Sequence, residues 1–142
     1  MKTIRNILLV DDDTLDNEYH EMIINKTIAG TTVTTITDSR KALECWKKRI
    51  EPVAQKAFPE LIFLDINMPA LNGFELLERI KNYPDPLNRK NDLKIFMLST
   101  AEPRHYKEQT EKYKAMVRGF YTKPLTPEIL LDIYHKHFKA SN

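Results

Sequence analysis

A chain of 142 residues with a net charge of +2 is sized for one domain and carries no charge excess that would mark a nucleic-acid partner. No basic run interleaves with aromatics, no apolar stretch nears the ~20 residues that span a bilayer, and the N-terminal Lys2 and Arg5 lead into aspartates instead of a signal-peptide core. The single cysteine, Cys45, excludes an internal disulfide and a cysteine-built zinc site, so a soluble cytoplasmic protein without membrane or direct nucleic-acid contact is expected.

Short apolar runs alternate with helix-period segments, the pattern of an α/β fold with a parallel sheet. Ile7 to Val10 reads as a strand buried on both faces and runs straight into Asp11-Asp12-Asp13. A helix follows, with Leu15, Tyr19, Met22 and Ile23 as its apolar stripe. Thr31 to Thr37 is β-branched but has only Val33 and Ile36 apolar, which predicts a wetter strand at the sheet edge. Asp38-Ser39 caps a second helix that packs Ala42, Leu43, Trp46 and Ile50 until Pro52 disturbs it.

Leu61 to Leu64 is the third strand and ends at Asp65; Gly73 precedes a helix with Phe74, Leu77 and Ile80 in register. Ile95 to Leu98 is the fourth strand, ending in Ser99-Thr100. The helix that begins near Pro103 has a weak stripe of Tyr106, Gln109, Tyr113 and Met116 or Val117, so it should pack most loosely. Gly119 to Tyr121 is the fifth strand and leads to Lys123-Pro124. The last helix opens on Thr126 as cap with Pro127 next, then Ile129, Leu130, Ile133 and Phe138. Two connections, Glu51 to Glu60 and Tyr83 to Leu93, look padded.

In such a sheet, ligands bind beyond the carboxyl ends of the strands. Those ends carry Asp11-Asp12-Asp13, Asp65, Ser99-Thr100 and Lys123, and the set has a chemical logic. Clustered carboxylates repel unless a cation sits among them, and oxygen ligands suit Mg²⁺. A hydroxyl and an ammonium can hold phosphoryl oxygens, and a carboxylate nucleophile forms an acyl phosphate. Gly30, Gly73 and Gly119 are too far apart for a glycine-rich phosphate loop, so side chains and a metal must do this work.

The segments Ile7 to Asp13, Leu64-Asp65-Ile66-Asn67-Met68-Pro69 with Gly73, and Phe120 to Leu125 resemble three motifs of response-regulator receivers, in order and over nearly the whole chain. The resemblance implies a flavodoxin-like (βα)₅ domain of strand order 2-1-3-4-5, with its core at about 5–138 and no output domain. It implies that Asp65 takes a phosphoryl group, that Asp12 ligates Mg²⁺ directly and Asp11 directly or through water, and that Asp65 and the backbone carbonyl of Asn67 complete the metal set. Lys123 would pair with phosphoryl oxygens, its bond to Pro124 would be cis, and Phe120 would be the switch aromatic. For the hydroxyl, Ser99 shares a face with Ile95 and Met97 and is preferred, with Thr100 as runner-up. The implied partners are a sensor histidine kinase or a histidine phosphotransfer protein and a downstream protein that the sequence does not name.

Each residue also has a plainer reading. Asp11 to Asp13 would cap the next helix, Ser99 or Thr100 the one before Pro103, and Lys123 would be a solvated charge. One aspartate suffices for a cap, however, and the others gain weight from standing together. Trp46 and the tyrosines are read as core or rim, Cys45 as inert, and His20 and His105 have no evident partner. His135 and His137 are two apart on one helix, which argues against a metal pair. The rival functions are a metal-dependent phosphohydrolase with an aspartyl nucleophile and a degenerate binding module. Asn67, where a haloacid-dehalogenase-like enzyme places its acid, argues against the first; the intact acid, hydroxyl and lysine set argues against the second.

Overall fold

The computed structural model describes residues 4–50, 59–86 and 93–138. In chain order they form β1 (Asn6–Val10), α1 (Thr14–Thr27), β2 (Thr32–Ile36), α2 (Ser39–Ile50), β3 (Leu61–Asp65), α3 (Gly73–Asn82), β4 (Lys94–Ser99), a 3₁₀ turn (Pro103–Tyr106), α4 (Lys107–Lys112), β5 (Val117–Thr122) and α5 (Pro127–His137). All five strands are parallel, in the order β2-β1-β3-β4-β5. The chain leaves β1 toward β2 on one side and reaches β3 on the other, which opens a crevice at the carboxyl ends of β1 and β3. The disturbance expected at Pro52 and most of both padded connections lie outside the described residues.

Period-two alternation sends successive strand residues to opposite faces. Leu8, Val10, Ile62, Leu64, Ile95 and Met97 pack with α2 and α3, while Ile7, Leu9, Leu61, Phe63, Phe96 and Leu98 pack with α1 and α5. Each such side chain, fully buried, is worth about 1.5–3 kcal/mol, so the three central strands are the rigid part of the molecule. β2 is one of the two edge strands, with Thr32, Thr34 and Thr35 exposed.

Between β4 and β5 the register skips. Ile95 pairs with Val117 but Phe96 pairs with Gly119, so Arg118 is an extra residue that bulges out of the ladder. Gly119 sits against the ring of Phe96, where a Cβ would come within 2.9 Å of its Cδ1.

Three expectations are corrected. The buried residues of α1 are Asn17, His20, Ile23 and Ile24, whereas Leu15, Tyr19 and Met22 are 73%, 44% and 42% exposed. Of the expected stripe only Ile23 faces the core, because two polar residues, each hydrogen-bonded inside, occupy the rest of the buried face. The fourth helix packs loosely, as expected, with no buried side chain, but it is only six residues long, and Val117, the alternative to Met116 in its stripe, opens β5 instead. Ser39 also departs from capping: buried, it donates to Pro69 O and accepts from Leu71 N, tying α2 to the loop after β3, while Asp38 accepts from Arg40 N.

Candidate functional site

β1 and β3 place their terminal aspartates side by side. Asp11 is buried just past β1, its backbone N–H bonded to Ile36 O at 3.1 Å, and Asp65 is buried as the last residue of β3. Asp12 is exposed beside them. Carboxylate oxygens of Asp11, Asp12 and Asp65 lie within 4.8 Å of one another. Asp13 is the N-cap of α1, accepting from Leu15 N at 2.9 Å and Asp16 N at 3.2 Å. Capping thus falls to one aspartate and leaves two for the cluster.

Lys123 follows β5, its backbone N–H bonded to Ser99 O at 2.8 Å, before a cis bond to Pro124. Its ammonium donates to Asp11 Oδ2 at 2.6 Å and Asp16 Oδ2 at 2.9 Å, and lies 3.3 Å from Asp65 Oδ1. Burial opposes the lysine charge, but the bonds from Asp11 and Asp16 and the field of Asp65 outweigh it and raise its pKa. Burial, then the neighbouring Asp11 charge, push Asp65 up to about 6 against the pull of Lys123. One lysine therefore leaves negative charge unbalanced in the crevice. An all-oxygen, charge-rich cluster of this spacing fits a hard divalent cation such as Mg²⁺.

Ser99 ends β4 fully buried, its Oγ accepting from Ala101 N at 3.1 Å; Thr100 is exposed. Asn67 is exposed in the loop after β3, and its Nδ2 donates to the Tyr106 hydroxyl at 3.4 Å. Phe120 is half-buried and stacks on Tyr106 with ring centroids 5.9 Å apart. That loop is drawn tight by a bond from Gly73 N to Ile66 O at 2.7 Å, and Ala70 adopts φ 69° within it.

Three residues at the site are not marked as such by the sequence motifs. Asp16 meets a lysine 107 positions away. His20, read as partnerless, accepts the Leu125 N–H on its Nε2 at 3.2 Å behind Lys123. Tyr106 shows in the sequence only as part of a weak helix stripe. A hydrophobic-pattern reading cannot find polar long-range pairs; the first-turn position of Asp16 was the one available hint.

The profile of the response regulator receiver domain matches residues 7–135. The chain belongs to the response regulator receiver family. The receiver is 26% identical to the chemotaxis protein CheY1 of Helicobacter pylori over 126 residues, 89% of this chain and 90% of that one. It superposes on a two-component response regulator from Cytophaga hutchinsonii with a TM-score of 0.78 and 32% identity, covering 95% and 97% of the two chains. On the chemotaxis response regulator CheY4 of Vibrio cholerae the TM-score is 0.69 at 28% identity, covering 94% and 98%. As a receiver of two-component signalling it is a switch of the class that binds Mg²⁺ at an acidic site and works with histidine kinases or phosphotransfer proteins. Among the described residues no helix is long and apolar enough to cross a membrane.

Proposed function

We propose that this receiver accepts a phosphoryl group on Asp65 from a histidine kinase or histidine phosphotransfer protein and signals by protein contact in the cytoplasm. The observation that carries the reading is the seat of Asp65, with Asp11 and Asp12 on one side and the Lys123 ammonium 3.3 Å away. An Asp65 carboxylate oxygen attacks phosphorus; the new P–O bond forms as the P–N bond to the donor histidine breaks, and the imidazole leaves. Lys123 offsets the charge on one phosphoryl oxygen, and the buried Ser99 hydroxyl, preferred over the exposed Thr100, donates to another. Asp11, Asp12, Asp65 and the Asn67 carbonyl would hold Mg²⁺, which supplies charge neutralisation for in-line transfer. Phe120, stacked on Tyr106, is the aromatic whose packing would report the adduct.

Incubation with Mg²⁺ and a small phosphodonor, followed by intact-mass analysis, should show a single phosphoryl adduct in the wild type and none in Asp65→Asn. Multiple turnover of the donor without a retained adduct would identify a phosphohydrolase instead. No adduct and no response to beryllofluoride would identify a degenerate binding module.

A further inference from the structure

Lys123 meets one more carboxylate than holding a phosphoryl group requires. Its Nζ bonds to Asp11 at 2.6 Å and to Asp16 at 2.9 Å, and reaches Asp65 at 3.3 Å. Asp11 and Asp65 belong to the cation-capable cluster, and Asp16 does not. Asp16 stands in the first turn of α1 with its side chain 39% exposed, against 10% for Lys123.

We infer that Asp16 is a positioning residue that competes with the phosphoryl group for the Lys123 ammonium and so limits how tightly the receiver holds that group. The inference rests on Asp65 as the acceptor. An ammonium has three N–H donors, and Asp11 and Asp16 occupy two of them. A cation among Asp11, Asp12 and Asp65 would share the charge of those carboxylates, but Asp16 keeps its full claim on Lys123. A phosphoryl group on Asp65 needs the same ammonium, and whatever bonding stays with Asp16 is withheld from it. The opposite role, in which Asp16 holds Lys123 ready for the phosphoryl group, predicts the opposite sign. Because Asp16 is partly in water, its effect belongs at the modest end of charge-assisted bonds, about three- to tenfold in affinity.

Calorimetric titration of the full chain with beryllofluoride in Mg²⁺ tests this. Asp16→Asn should bind about three- to tenfold more tightly than wild type, and Asp16→Glu, which keeps the charge, should stay within about twofold of it. Asp16→Ser repeats the charge removal with a smaller side chain and should match Asp16→Asn, with thermal unfolding as the check of the fold. In a Lys123→Ala background the gain from Asp16→Asn should fall below about twofold, because no ammonium remains to compete for. Unchanged or weaker binding by Asp16→Asn overturns the inference, as does a gain that survives Lys123→Ala undiminished. Failure of the acceptor reading looks different: wild type would not bind beryllofluoride, or Asp65→Asn would bind it equally well.

Discussion

The Asn67 amide donates to the Tyr106 hydroxyl at 3.4 Å and links the loop after Asp65 to the turn that follows β4. The same tyrosine ring lies 5.9 Å from Phe120 and 5.8 Å from Phe74, so it bridges the crevice and the α3–β5 face. The hydroxyl contact is long and exposed, whereas the ring contacts are not. Tyr106→Phe should therefore change the unfolding free energy by less than about 0.5 kcal/mol, and Tyr106→Ala should lower it by about 1.5–3 kcal/mol in urea titrations. On adding beryllofluoride, Tyr106→Ala should retain amide shifts at Asn67 but lose most of those in α4.

In EDTA, Asp65 should make the protein less stable as pH rises. Its carboxyl is pushed from an ordinary 3.8 up to about 6, by burial first and Asp11 next. Between those values the folded protein keeps a proton that the unfolded chain has released, so stability is full below about pH 4 and is lost as pH passes about 6. Asp65→Asn is neutral throughout. It should exceed wild type by about 1–2 kcal/mol at neutral pH, after discount for solvent screening, and match it near pH 4. Denaturant titrations at the two pH values read this directly.

Gly73 is required by a close approach. A Cβ there would lie 2.5 Å from the Asp65 carbonyl oxygen and 3.0 Å from Ile66 Cα, both backbone atoms that cannot turn aside. Gly73→Ala should destabilise by about 1–3 kcal/mol, and the strain falls on Asp65 itself. Thermal unfolding and phosphoryl uptake should both decline in this variant, whereas a tolerant site would show neither.

His20 supplies the acceptor for a buried N–H beside Lys123. Burial, then the Lys123 charge, lower its pKa, and the neutral ring is the form that can accept. Its stability contribution is present above the ordinary value of 6.5 and is lost as pH falls through the lowered folded value. His20→Ala should cost about 2–4 kcal/mol from the stranded N–H and the space left behind, and His20→Gln should recover part of it. Chemical unfolding near neutral pH separates the two variants.

Much of this was legible beforehand. Strands buried on both faces betray themselves by unbroken apolar runs, so β1, β3 and β4 and the aspartates and serine at their ends could be placed from sequence. Gly73 and Lys123-Pro124 were equally visible. α1 was not, because Asn17 and His20 give a polar signal at buried positions while Leu15 and Tyr19 give an apolar one at exposed positions. The Asp16–Lys123 pair had no local trace, since nothing in a one-dimensional pattern encodes which charges meet across the sheet.

The bulge at Arg118 has a consequence for how the site keeps its geometry. Val117 and Phe120 both face the α2–α3 side although they are three residues apart, which a regular strand forbids. The bulge resets the phase, so the direction of Phe120 and the seat of Lys123 are fixed by their neighbours Met97 and Ser99 on β4. A change of length in the stretch before the bulge should therefore leave unchanged the aim of the half of β5 that leads into Lys123.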